Sequence, residues 1–510
     1  MANYGINRRV FLIALLFTIF SSGIFAICTT ISSTMQTSSL INDTNGTLDS
    51  KVLGDIQNTI NTPISCLDLE YLDGFIWAAQ LDGDLYKLNP RTGAEVSHIS
   101  LPFHPAGLAT DESFFYISTD RNGTIFKYTL AGTFAASLNI IVPADYISGL
   151  AYDGWNLYAI TDSDTGFLYR IDLDSWAVDN SIPVSCRYAG LTYYGGLLWT
   201  VSWEYDEIHA LDPDTGQIRE VFAGPMTGFG DYGMAYNGTA FLFSDHNNKQ
   251  IYFLDIPTEA GEVWNQHASP DSHPLDIAWN GTNYFLTDTH LDKVYILDDV
   301  RFKNITQFKL PFSPLGITVV GNYLYISQEN SPHNLYKYTT KGSLVATYAV
   351  NHSYGALEYD GSILWGTDYI GTFIRQISPS DGHIIASYNT SINYLGLVFD
   401  SRNNVFWAVD WKPFANEICQ LNPTTFEKTG VEYISPAVTG SYGLEFNGEH
   451  LILTSWDTDT IYKIIIMFPS GGIPSFTDMF LLISIMAVVS VWFLLRQTRT
   501  SQRNKFSFFN

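Results

Sequence analysis

Gly149-Leu150-Ala151-Tyr152-Asp153-Gly154, then Asn156-Leu157-Tyr158-Ala159-Ile160-Thr161-Asp162, then Phe167-Leu168-Tyr169-Arg170-Ile171-Asp172 and a looser stretch to Val184 form the clearest copy of a recurring unit. Apolar residues alternate with polar ones inside each run, the period of a half-buried strand. Asp-Gly, Asn-Gly and similar pairs separate the runs, which is hairpin-turn chemistry. The same grammar restarts at Asp68, Gly107, Gly190, Gly233, Asp276, Gly316, Ala356, Gly396 and Gly443, with steps of 39 to 47 residues. Three or four short strands repeated at that spacing are the signature of propeller blades, whereas a β-solenoid needs shorter repeats without hairpins.

A longer period lies above the first. Trp199, Trp203, Glu207-Ile208, Leu211 and Pro213 of unit four return in unit nine as Trp407, Trp411, Glu417-Ile418, Leu421 and Pro423. Units two and seven share Tyr-Ile-Ser and Lys-Tyr-Thr, at Tyr116 and Lys127 and again at Tyr325 and Lys337. Units one and six alone open with Asp, at Asp68 and Asp276, where the others carry Gly or Ala. Corresponding units are offset by 206 to 210 residues, so five blades were duplicated as a block. A spare strand precedes unit one near Lys51–Ile60 and another precedes unit six near Gly261–His267, while units five and ten stop after three strands. Pairing each spare strand with the last unit of its own half removes the open edges. The expected fold is therefore all-β: two tandem five-bladed propellers, roughly 51–259 and 260–468, with a single ten-bladed ring as the alternative.

The two ends read as membrane segments. Arg8 and Arg9 precede an apolar run from Val10 to Phe20, so residues 1–28 are expected to be an export signal or an uncleaved signal anchor. Arg8-Arg9-Val10-Phe11-Leu12 resembles a twin-arginine motif. A Ser/Thr/Asn-rich linker spans 29–50. At the other end a turn-rich spacer, 469–478, leads to Met479–Leu495, 17 residues without a charge and near the lower limit for a spanning helix. Arg496, Arg499, Arg503 and Lys505 follow, which assigns the tail 496–510 to the cytoplasm and the propellers to the outside of the cell membrane. Spacer, helix and basic cluster resemble the sorting tails of archaeal surface proteins, with only Pro474-Ser475-Phe476 standing near the motif those tails often carry.

Composition agrees with a wet exterior. The net charge of −25 argues against nucleic acid, whose phosphates need a basic face. Four Cys in 510 residues make no disulfide framework. Eight Asn-x-Ser/Thr sites, at Asn42, Asn45, Asn122, Asn237, Asn280, Asn304, Asn351 and Asn389, fit a glycosylated surface.

The repeats resemble those of the broad NHL, YVTN and glutaminyl-cyclotransferase-like propellers. The resemblance rests on the Gly-Leu-x-Tyr-Asp-Gly start, the Leu-Tyr or Leu-Trp second strand, and Leu211-Asp212-Pro213-Asp214-Thr215-Gly216. It implies fold and not activity. Glutaminyl cyclotransferases carry a polar residue, typically Gln, just before the first-strand Gly. Ala106, Ser148, Ala189 and Tyr232 stand there in this chain, so no catalytic residue carries over.

In a four-stranded meander, the loop into the first strand and the loop out of the second share one face. Lead-in loops bring Phe103, Tyr146, Tyr188 and Tyr232 there in the first half, and Phe312, Tyr354, Tyr394 and Tyr442 in the second. Second strands end near Asp120, Asp162, Trp203 and Asp245, then near Asp288, Asp368, Trp411 and Trp456. Rings alternating with carboxylates suit a sugar, whose C–H faces stack while its hydroxyls seek acceptors. Equally, such rings can wedge between blades and such Asp can cap turns. The expected function is thus cell-surface binding, adhesion or scaffolding, with glycans or neighbouring surface proteins as partners. The alternative is an extracytoplasmic enzyme, a glycoside hydrolase or a cyclotransferase. No zinc helix, nucleophile elbow or phosphate loop is present. No cofactor is expected. Asp82-Gly-Asp84, Asp162-Ser-Asp164 and Asp457-Thr-Asp459 could offer oxygens to Ca²⁺, but none follows a full calcium loop.

Overall fold

Asp153 shows how the repeat becomes a hairpin. Its Oδ1 accepts the N–H groups of Trp155 at 2.7 Å and Asn156 at 2.6 Å, and Gly154 takes φ 99° between them. A carboxylate that holds the next two amides fixes the turn, and only Gly reaches that φ without strain. Asp111 and Asp360 repeat the device on Phe114 at 2.7 Å and Ile363 at 2.8 Å, and each also takes a ring donor from the second strand, Tyr116 at 2.7 Å and Trp365 at 2.7 Å.

The computed structural model describes residues 52–466, apart from 81, 121, 141–145, 164–165, 203, 226–232, 413–415 and 437–439. The export segment, the linker, the spacer, the apolar run Met479–Leu495, the basic tail, Cys28, Trp203 and Tyr232 lie outside the described residues. Among the described residues, no helix is long and apolar enough to cross a membrane. These residues form ten four-stranded antiparallel sheets, the blades of a β-propeller repeat protein. Eight sheets are simple meanders. In the other two, the spare strand completes a sheet from a distance: Ile56–Asn61 pairs with Gln250–Asp255, and Val263–Ala268 with Thr460–Ile465.

First strands pack side by side without sharing a sheet. Asp68–Leu72, Pro105–Thr110, Ile147–Tyr152, Tyr188–Tyr194 and Met234–Tyr236 touch in that order, and the last returns to the first. Pro274–Trp279, Pro314–Val320, Tyr354–Tyr359, Tyr394–Asp400 and Ser441–Phe446 do the same. This crowding explains the Gly that opens the repeat. A Cβ on Gly149 would lie 2.5 Å from the carbonyl carbon of Gly190, and one on Gly233 would lie 2.4 Å from Asp68 Cα. Hydroxyls on the second strands then clip one sheet to the next. Ser118 Oγ accepts the Gly107 N–H at 2.7 Å and donates to the Ile147 carbonyl at 2.7 Å, and Ser327 joins Gly316 to Tyr354 in the same way.

Apolar side chains fill the spaces between neighbouring sheets. Ala109, Tyr116 and Ile125 meet Leu150, Leu157 and Ala159, for example. Each Leu or Ile among them contributes about 1.5–3 kcal/mol when fully buried. The two sets of five sheets also meet. Lys463 is 2% exposed and holds both carboxylate oxygens of Glu220, at 3.1 and 3.0 Å, while Asn265 Nδ2 donates to the Val221 carbonyl at 2.8 Å.

Candidate functional site

Because neighbouring first strands do not pair as a ladder, some of their N–H groups face the centre of each set and need acceptors. Carboxylates supply them. Asp68, wholly buried, accepts Leu69 N–H at 2.9 Å and Met234 N–H at 3.3 Å on Oδ1, and Leu108 N–H at 2.8 Å on Oδ2. Two residues on, Glu70 accepts Tyr71 N–H at 2.8 Å and Thr110 N–H at 3.2 Å. In the second set Asp276 takes Ile317 at 2.8 Å and Leu357 at 3.3 Å, and Glu445 takes Trp279 at 2.7 Å and Phe446 at 2.6 Å. Glu358 accepts Phe399 N–H at 3.2 Å.

Burial sets the charge state of this group. It raises Asp68 and Asp276 well above the usual carboxylate range, against the pull of their N–H donors. It pushes Glu70 to about 7 and Glu445 to about 8. Glu358 rises too, first through burial and then through the neighbouring Glu445 charge. Asp68 and Asp276, the openings peculiar to units one and six, are thus the acceptors that tie separate sheets together.

The first set opens above Glu70 into a cavity of about 710 Å³ where its first strands end. Tyr71, Tyr152, Tyr193 and Tyr236 line it together with Glu70, Asp73, Asp111 and Glu112, and among the described residues no Lys, Arg or His does. Tyr152 donates its hydroxyl to the Gly154 carbonyl at 2.7 Å, and Tyr236 packs on Tyr194 with ring centres 4.5 Å apart. Asp73 and Glu112 sit at the turns with φ 51° and 66°. Burial, then the charges of Asp111, Asp153 and Glu112, keep the Tyr152 phenol protonated by raising its pKa. This mouth lies on the face opposite the one the sequence singled out. The signal for it was the Tyr three residues after the opening residue of a unit, at Tyr71, Tyr152, Tyr193 and Tyr236.

Of the sixteen residues singled out from the sequence on the lead-in face, the fourteen that are described scatter. Tyr188, Tyr354 and Tyr394 are buried between sheets. Phe103 stacks on Phe126 at 4.3 Å, and Phe312, also buried, on Tyr336 at 4.0 Å. Asp162 is held by Arg187 at 2.7 and 3.1 Å, and Asp368 by Arg375 at 2.6 and 2.7 Å. Asp245 caps Asn248 at 2.9 Å and Asp288 caps Leu291 at 2.9 Å. Asp120 and Tyr146 are half-buried, tied through their backbones to His104 and Asp162 at 3.2 Å each. Trp411 and Trp456 reach solvent, at 47% and 37% exposure, with half-buried Tyr442 against Trp456 at 5.3 Å. Ile370, 89% exposed, shares their face. Among the described residues, no cluster of three or more His, Cys, Asp or Glu is arranged to hold a metal ion.

A family model described as a "Repeat of unknown function (DUF6923)" matches residues 120–278. No curated protein matches the chain. Among solved structures, the chain is similar to a glutaminyl cyclase of Myxococcus xanthus, with 18% identity over 40% of this chain and 97% of that one and a TM-score of 0.35. It is also similar to BamB of Moraxella catarrhalis, with 15% identity over 70% and 93% and a TM-score of 0.24. The ten sheets and their repeat carry the propeller assignment by themselves.

Proposed function

We propose that this protein is a non-catalytic recognition module made of two five-bladed rings, about 51–259 and 260–468, displayed outside the cytoplasm on a C-terminal membrane helix. Two closed cycles of first strands support the ring count. The basic cluster after Leu495 supports the orientation.

One observation carries the binding role: the tyrosine- and carboxylate-lined mouth of the first ring. Tyrosine faces stack on the C–H faces of a sugar, and carboxylates accept its hydroxyls. The ligand class is therefore polyhydroxylated, a glycan of a neighbouring surface. Trp411, Trp456 and Ile370 favour a second contact on the other ring, a protein surface docked on the lead-in face. Two contacts on one tether raise the avidity for a repetitive coat.

The test is a glycan array probed with the full-length protein in detergent, run beside a panel of glycosidase and glutaminyl-cyclisation substrates. Binding without turnover, lost in Tyr193→Ala, supports the proposal. Turnover that depends on Glu70 would replace it with the hydrolase reading.

A further inference from the structure

Cys66, Cys186 and Cys419 are all buried free thiols, yet they differ chemically. Burial pushes Cys66 and Cys419 up to about 12. At Cys186 burial also raises the pKa, but His209 and Tyr188 outweigh it and the thiol ends below its ordinary value. The Tyr188 hydroxyl stands 3.4 Å from Cys186 Sγ and 3.1 Å from His209 Nδ1. His209 Nε2 meets Glu207 Oε2 at 3.0 Å, and Arg301, from the second set of sheets, donates to the same oxygen at 2.7 Å. Arg301 also stands 3.2 Å from His209 Nε2, where its charge opposes protonation of the ring while Glu207 and Cys186 favour it. A thiol, a hydroxyl, an imidazole and a carboxylate thus form one chain, the arrangement that stabilises a thiolate beside an imidazolium.

The duplication supplies an internal comparison. In unit nine, Tyr394 stands for Tyr188, Ile392 for Cys186, and Cys419 for His209. That thiol has no imidazole in its row and donates to the Ala408 carbonyl at 3.6 Å. A second feature marks the first site. Ser202, in register between Tyr188 and Glu207, is wholly buried, and among the described residues its hydroxyl has no hydrogen-bond partner. An orphan of that kind points to a small polar guest. The sulfur is also one side chain from solvent, 3.9 Å from the hydroxyl of exposed Ser185.

We propose that Cys186 is a peroxide-sensitive thiol, the site where hydrogen peroxide or a small organic hydroperoxide oxidises this protein. The thiolate sulfur attacks one peroxide oxygen. An S–O bond forms, the O–O bond breaks, and the sulfur gives up two electrons. The departing hydroxide or alkoxide takes the His209 proton by way of the Tyr188 hydroxyl. The products are Cys186 sulfenic acid, neutral His209, and water or an alcohol. Loss of the imidazolium charge is felt at once by Glu207 and Arg301, where the two sets of sheets meet.

The test uses the full-length protein in detergent with hydrogen peroxide and dimedone, with each cysteine-containing peptide quantified by mass spectrometry from pH 6 to 9. Cys186 should label at least about tenfold faster than Cys66 or Cys419 at pH 7, as a thiol pKa one unit lower or more implies. His209→Gln should cut that rate about tenfold, and Glu207→Gln should move the profile to higher pH. Thermal melts of both variants check folding. If His209→Gln does not fold, the Glu207→Gln profile decides the matter. Equal labelling of the three thiols, no labelling at Cys186, or an unmoved profile in a folded variant would overturn the proposal.

Discussion

Asp68 accepts the backbone N–H of Met234 at 3.3 Å across 166 residues of sequence, so the first sheet is bonded directly to the fifth. Leu69 and Leu108 donate to the same carboxylate. An Asp68→Ala change leaves three buried N–H groups without that acceptor, at about 1–3 kcal/mol for each one that finds no substitute. A loss of at least about 2 kcal/mol in urea unfolding is expected. Asp73→Asn, at the rim, should stay within about 0.5 kcal/mol of wild type.

The buried carboxylates make stability depend on pH in a stated direction. Glu445 and Glu70 hold protons in the folded protein up to about 8 and about 7, whereas an unfolded chain releases them near pH 4. The folded state therefore binds more protons, and stability falls as pH rises between 6.5 and 8. His267 and His450, held down at about 4 and about 3 by burial, are neutral in the folded state but about half-protonated in the unfolded chain at pH 6.5. They oppose this slope at its lower end and fade from it by pH 8, while the protons held by the buried carboxylates outnumber theirs. Urea midpoints at pH 6.5, 7.2 and 8 should decline in order, and Glu445→Gln should flatten the slope. A level or rising series would show that these groups are already ionised.

Lys463 and Glu220 join the two sets of sheets as a buried pair. Replacing Lys463 with Met strands the Glu220 carboxylate, which burial already pushes toward its neutral form. The single change should cost about 3–5 kcal/mol, and Lys463→Met with Glu220→Leu should recover most of it. Denaturant unfolding of both variants and the wild type measures this. If the double variant is no better than the single, the pair does not act as a pair.

Tyr188 and Trp411 separate packing from recognition on the lead-in face. Tyr188→Ala empties a buried site and removes a hydroxyl from His209, so a loss of about 3–5 kcal/mol is expected. Trp411→Ala, at an exposed position, should leave the melting temperature nearly unchanged and weaken only contacts with a docked surface.

The blades were legible because turn residues, strand alternation and a period of about 40 residues all repeat ten times. Even the spare strands could be placed, since an unpaired strand at each end has one economical partner. The mouth proposed here as the binding face was not singled out from the sequence. Tyr188 and Tyr193 sit five residues apart on one strand and look alike in sequence, but one is wedged between sheets and the other lines the mouth. Strand alternation does not say which end of a tapering set is open. The Asp at positions 68 and 276 stood out as an oddity of two units, but its role depends on N–H groups from other sheets, 40 or more residues away in the chain.

The most direct test of the central claim is glycan-array binding by the full-length protein and by Tyr193→Ala and Trp456→Ala, each first confirmed to be folded by its melt. The account predicts that Tyr193→Ala abolishes glycan binding while Trp456→Ala retains it. Glycan binding that survives Tyr193→Ala and vanishes with Trp456→Ala would contradict it, moving the sugar site to the opposite face of the second ring.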